Sequence, residues 1–308
     1  MQITYIKKLW NKAKHNAFTD LCAFDGKLYC CFREAINHVA GNGIIRVLAL
    51  NTQGDILGTQ CLRVAQADLR DPKLSVTPDG KLLLIAYARR HDANNKTVLS
   101  QCLCWSSADG LSWSSSTDFA EKNWWLWRLT WHQGQAFGLA YNRAKQTLNL
   151  YRGDPRRTFN VHCHRAFSVE RQHKGYPNES ALVFVGDTAY ALVRRDADSY
   201  SAQLGRARFP FKRWDWQDLG CYIGGPAMLL KDQHSAYVAG RIAYQGRLRT
   251  ALMTLNLSTA KLELVLVLPS ALDNSYPGLV RQGNKLYLSY YSCHQDNKSS
   301  IYLAKIDL

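Results

Sequence analysis

Hydrophobic and polar positions alternate along this chain in short runs, and stretches with helical spacing are almost missing. The runs come in pairs joined by turn residues, at 20–33, 71–87, 128–141, 179–194, 226–241 and 276–291. Each pair opens on an apolar strand, passes through a turn such as Asp25-Gly26, Pro78-Asp79-Gly80, Gln133-Gly134 or Gly283-Asn284, and returns as a strand rich in Tyr and Leu. Gly, Asp and Asn at such turns supply the positive φ that tight hairpins require. Further strand-like segments follow, among them 43–50, 97–105, 147–153 and 251–257. The hairpins recur every 47 to 57 residues, and the stretch from Tyr276 through both termini to Asp20 has the same size. A repeat of that length holding four short strands predicts an all-β, six-bladed β-propeller. The segments 1–10 and 301–308 are then strands of one last blade, and residues 1–308 form a single domain. A β-sandwich, or a pair of smaller β-domains, would need six similar spacings to arise by coincidence.

Composition narrows the setting. The 308 residues are 46% hydrophobic, too apolar for disorder, yet no run approaches the roughly 18 residues of a membrane span. The longest, Leu262 to Leu268, is short and contains Glu263. The basic N-terminus is followed by no apolar stretch of the secretory type, so a cytoplasmic location is expected. The nine cysteines are odd in number, form no CxxC pair and sit in apolar runs, which predicts free thiols in a reducing compartment. The net charge is +15, but Lys and Arg are spread without a basic block, so neither nucleic acid nor a membrane is the expected partner.

The repeat puts polar residues at equivalent positions. One set opens the hairpins: Asp20, Asp71, Arg128, Glu179, Pro226 and Tyr276. A second lies four residues past the Tyr, Leu or Phe of each return strand: Arg33, Tyr87, Tyr141, Arg194, Arg241 and Tyr291. Period-two alternation gives equivalent positions one facing. Carboxylates, arginines and tyrosines are costly to bury unless they satisfy one another. They form either a closed polar network or a pocket with acid/base groups, an arginine cluster for an anion and rings for sugar stacking.

Two segments carry a family resemblance. Pro177-Asn178-Glu179-Ser180-Ala181-Leu182-Val183, followed by Arg194, resembles the bacterial sialidase segment holding the active-site Glu and one arginine of its carboxylate-binding triad. Ser275-Tyr276-Pro277-Gly278-Leu279-Val280 is similar to that family's nucleophile segment, and Ser107-Ala108-Asp109-Gly110-Leu111-Ser112-Trp113 to a shortened Asp-box turn. Six blades is also the family's architecture. The resemblance implies Tyr276 as nucleophile with Glu179 taking its proton, an exception among glycosidases, which mostly use two carboxylates. It also implies that Arg194, with Arg241 as a second arginine, holds a substrate carboxylate through bidentate contacts. The chain departs from the pattern at Phe18-Thr19-Asp20-Leu21, where the family's first triad arginine belongs, so Arg33 or Arg70 would substitute. The loop 34–42 holds no Asp, so His38, Glu34, Asp20 or Asp71 would protonate the leaving group, His38 being the most suitable by intrinsic pKa.

The expectation is a sialidase-like glycoside hydrolase acting on an acidic saccharide, with Trp127 and Arg128 in the pocket wall and Tyr87, Tyr141 and Tyr291 beside it. No metal or cofactor is expected, and His162-Cys163-His164 is read as an ordinary strand triplet. Two alternatives use the same residues. Arg70-Asp71-Pro72 resembles a segment of the arabinanase and invertase-type hydrolases, which would employ Asp20, Asp71 and Glu179. A carbohydrate-binding or protein-docking propeller would use Trp124-Trp125-Leu126-Trp127 as a stacking platform without catalysis.

Overall fold

The predicted hairpins are present in a computed structural model, which describes residues 1–308 except Ala93, Asn95 and Asp296. The described residues fold into 25 strands and one four-residue helix, Val169–Gln172, arranged as the six blades of a β-propeller. None of their helices is long and apolar enough to cross a membrane. All nine cysteines are free thiols.

The chain divides into two compact units, residues 1–118 with 269–308, and residues 119–268. In the first unit, blade one runs through strands His15–Phe24, Lys27–Ala35, Ile44–Leu50 and Ile56–Leu62. Blade two is led by Ala67–Val76 and Leu82–His91, and blade six by Asn274–Gln282 and Lys285–Ser292. Blade six is completed by Ser300–Asp307 and by the N-terminal strand Gln2–Trp10 at its edge, as the repeat predicts. Between blades one and two the inward residues of the alternating strands, including Tyr29, Val47, Leu69, Leu84 and Trp105, make one apolar core. The Asp109 carboxylate accepts hydrogen bonds from the Leu111 and Ser112 amides, which hold it down at about 2 and fix the turn. Gly110 lies at φ +73° against the Tyr29 ring, where any side chain would collide.

The second unit holds blades three to five, led by strands Trp125–Leu126 with Thr130–His132, Pro177–Val185 and Gly224–Leu230. Their partners in the sheets are Gln135–Asn142, Thr188–Arg195 and Ser235–Tyr244. Two apolar clusters fill it, one around Leu192, Leu204, Val238 and Met253, the other around Phe137, Leu150, Phe167 and Phe211.

Every leading strand breaks register at one place. Ala17 faces Arg33 but Asp20 faces Cys31, so Phe18 and Thr19 oppose a single residue. The same two-for-one bulge falls on Asp71-Pro72, Asn178-Glu179, Gly225-Pro226 and Tyr276-Pro277. In blade three it lies within Trp127–Leu129, where the Trp127 amide bonds the Leu139 carbonyl. Proline is tolerated as the second bulge residue because that position need give no N–H to the ladder.

Two features of the first unit hold the bulges and nearby loops in place. Gly278 packs so closely on blade one that a Cβ there would come 2.1 Å from the Leu21 amide nitrogen. The Thr19 hydroxyl donates to the Tyr276 carbonyl at 2.7 Å and accepts from Ser289 at 3.0 Å. Separately, the fully buried Arg33 donates to Asp68 through Nε and Nη2, and to the Asn37 and Ala40 carbonyls. Asp68 also accepts from the Gly43 amide and from Arg70, whose other nitrogen reaches the His38 carbonyl at 2.9 Å. The two guanidiniums thus tie the loop 36–42 to blade two.

Two stability measurements check this scaffold by chemical denaturation. Gly278→Ala should destabilise the protein by roughly 1–3 kcal/mol, the usual cost of forcing a methyl into a packed contact, because the obstacle is backbone. Asp68→Ala should cost about 3–5 kcal/mol, since it leaves buried Arg33 without its counter-charge.

Candidate functional site

The bulges decide which side chains are equivalent. The first bulge residue is Phe18 in blade one, Asp71 in blade two and Tyr276 in blade six, all with left-handed backbone, at φ +63°, +47° and +49°. Non-glycine residues adopt this conformation only when the surroundings enforce it, and such positions gather at functional sites. The leading strand of blade one packs beside those of blades two and six. The Phe18 ring lies 5.1 Å from the Tyr276 ring and 5.0 Å from that of His38, with the Arg70 guanidinium 5.8 Å above it. Tyr276 and Asp71 are nearly buried, each with a small exposed remainder.

Around this aromatic floor stands a polar cluster that the sequence reading only partly named. Asp273, one residue ahead of the leading strand of blade six, accepts hydrogen bonds from three side chains. Its Oδ2 lies 2.8 Å from His38 Nδ1 and 3.2 Å from His15 Nε2, while Oδ1 accepts from the Tyr291 hydroxyl at 2.7 Å. Burial alone would raise the Asp273 carboxyl, but the donors at His15, His38 and Tyr291 outweigh it and hold the group far below the usual carboxylate range. His15 is nearly buried, whereas the His38 ring is about half exposed.

The second unit carries a separate carboxylate–guanidinium group. Glu179, at the bulge of blade four, accepts from Arg194 Nη1 at 2.6 Å and from the Gly225 amide at 2.7 Å. Arg194 also donates to Asp196, which accepts from Asn178 in turn, and its guanidinium sits 5.4 Å from the centre of the Tyr222 ring. Bonded along two of its edges, Arg194 is oriented before any ligand arrives.

Several positions expected to be equivalent are offset. Arg33, Tyr87, Arg241 and Tyr291 each pair with the residue just before a bulge, but the matching residues in blades three and four are Ala140 and Arg195. Tyr141 and Arg194 stand one residue away from that register. Arg195 is fully buried on the Gly175, Ser201 and Ala197 carbonyls and Asp198, a loop tether like Arg33. Asp20 lies two residues past Phe18 and is fully buried, accepting from the Leu74 amide at 2.8 Å, so it joins two blades and offers no surface to a ligand. Glu179 and Pro226 are second bulge residues, not first, and Arg128 lies within the register break of blade three. Trp127 is fully buried, and the partly exposed ring of its cluster is Trp125, stacked on Tyr141 at 5.5 Å. Tyr87 is buried, which pushes its hydroxyl up to about 12. His162 Nε2 meets the Pro210 carbonyl at 2.6 Å, while His164 lines a cavity of about 490 Å³ with Trp124, Lys145 and Arg165.

His15, Asp68, Asp196 and Asp273 were not singled out from the sequence. The Asp-Pro, Gly-Pro and Tyr-Pro steps at 71, 225 and 276 were the visible sign of the bulges, and counting from them would have named Phe18 and Asn178.

Comparison with protein-family profiles and with curated proteins gives no match. Solved structures do resemble this one. A Dyadobacter fermentans protein of unknown function has 15% identity and a TM-score of 0.86, over 100% of this chain and 99% of its own. A Penicillium chrysogenum alpha-L-arabinanase, complexed with arabinobiose, has 12% identity and a TM-score of 0.74, over 100% and 99%. The sialidase of Trypanosoma rangeli, in complex with sialic acid, has 11% identity and a TM-score of 0.70, over 99% of this chain and 57% of its own. What these likenesses show is a shared fold: this chain has the β-propeller architecture of those structures.

Proposed function

We propose that the protein is a glycoside hydrolase that cleaves an acidic saccharide, with Tyr276 as nucleophile and Asp71 as acid and base. The observation that supports this most is the shared bulge register. It sets Tyr276 and Asp71 at matching places in the blades on either side of Phe18, both on a left-handed backbone. Asp71 is preferred to Asp20, which is sealed in the interior, and to His38, which is engaged by Asp273.

In this reading the phenolic oxygen of Tyr276 attacks the anomeric carbon while the glycosidic C–O bond breaks. Asp71 gives its proton to the leaving oxygen, and a base takes the phenolic proton. Water, deprotonated by Asp71, then cleaves the tyrosyl–sugar bond and restores both groups. A tyrosine, with a pKa near 10, presents no negative charge to an acidic sugar until it reacts. The resemblance assigns the base to Glu179 and the carboxylate contacts to Arg194 and Arg241. Arg70 lies over the Phe18 ring with its charge paired to Asp68.

The full-length likeness to an arabinanase favours a second reading, in which the substrate is a neutral pentose and two carboxylates suffice.

A panel of aryl glycosides, covering sialic acid, uronic acids and arabinose, tests the proposal. Turnover of an acidic glycoside is expected, falling roughly 10²–10⁴-fold in Tyr276→Phe and in Asp71→Asn, with Glu179→Gln reporting on the base. Turnover of arabinosides alone, with Tyr276→Phe fully active, would establish the second reading. Saturable sugar binding with no hydrolysis by any variant would make the protein a lectin.

A further inference from the structure

We propose that His15, His38 and Asp273 form a binding site for a borderline transition-metal ion, zinc above all. The inference rests on this cluster and does not depend on the reaction assigned above. The donor atoms, two imidazole nitrogens and a carboxylate oxygen, all lie within 4.8 Å of one another. His15 Nε2 and His38 Nδ1 stand 3.2 and 2.8 Å from Asp273 Oδ2. Ligands bonded to zinc at about 2.0–2.1 Å in a tetrahedron are about 3.3 Å apart, so only small shifts would seat an ion. The N₂O donor set suits zinc and its neighbours, whereas calcium and magnesium prefer oxygen alone.

The surroundings match what such sites need. Tyr291 holds the second oxygen of Asp273 at 2.7 Å, leaving Oδ2 as the ligating atom, the usual work of an outer hydrogen bond. The Arg33 and Arg70 contacts to the loop 36–42 fix the backbone that carries His38. Arg70 is itself paired with Asp68, so its charge opposes a cation less. Among the described residues, Nδ1 of nearly buried His15 has no hydrogen-bond partner, and the ring's one hydrogen bond is the Nε2 contact to Asp273. Both histidines bind metal as neutral rings. His38 can carry its proton on Nε2, where its half-exposed ring meets solvent, and His15 can carry its own on Nδ1. Three protein ligands leave the fourth position to water or to a substrate oxygen, the open arrangement of zinc sites that do chemistry.

The test uses the tag-free chain, stripped with a chelator and titrated with Zn²⁺ by calorimetry, with Ca²⁺ and Mg²⁺ in parallel. One equivalent of Zn²⁺ should bind with micromolar or tighter affinity and raise the thermal midpoint, while Ca²⁺ and Mg²⁺ give no saturable heat. His38→Ala lies on an exposed loop and should fold normally by circular dichroism. It should weaken Zn²⁺ at least tenfold, as should Asp273→Asn. Absence of saturable Zn²⁺ binding in the parent chain, or undiminished affinity in a folded His38→Ala variant, would overturn the proposal. Preferential binding of Ca²⁺ or Mg²⁺ would overturn the assigned ligand chemistry.

Discussion

The recurrent bulge in the leading strands is the constraint on which the arrangement of side chains depends. One extra residue per strand lets the ladder end on one phase and resume on another, and the extra residue leaves the pleat. A left-handed backbone at Phe18, Asp71 and Tyr276 costs roughly 1–3 kcal/mol at each position, so neighbouring structure must enforce it. The pressure of Gly278 on blade one and the Thr19 hydrogen bond to the Tyr276 carbonyl are that enforcement. Glycine meets the same demand without strain in blade five, where Gly225 has φ +59°.

Buried arginine is the second recurring device. Arg33 and Arg195 direct guanidinium donors to loop carbonyls and close on Asp68 and Asp198, so each fixes a loop after its strand. Glu179, Arg194, Asp196 and Asn178 use the same pairing, with Arg194 keeping a little exposure. Part of the high arginine content is therefore structural: it replaces regular secondary structure in holding loops whose backbone groups would otherwise be unpaired.

Much of the architecture was legible in the sequence, because hairpin turns and a repeat of about fifty residues survive any change of side chain. The edge pairing of Gln2–Trp10 with Ser300–Asp307 followed from that period alone. The register of the polar residues did not, since counting along strands assumes an unbroken ladder. Each bulge moves the count by one, which is why Asp20 proved to be an interior staple and why Arg195, not Arg194, matches Arg33. The group around Asp273 was invisible for a different reason. Positions 15, 38 and 273 have no mutual spacing to recognise, and only the apposition of blades one and six makes them neighbours.

The strand Gln2–Trp10 lies at the edge of a sheet whose other members end at Asp307. Pairing at this edge therefore joins two strands that lie far apart along the chain. While Ser300–Asp307 is undocked, an alternating strand with apolar residues at Ile3, Tyr5, Leu9 and Trp10 is without its hydrogen-bonding partner. A chain in which these two strands are parted carries an open β-edge that favours pairing with other molecules.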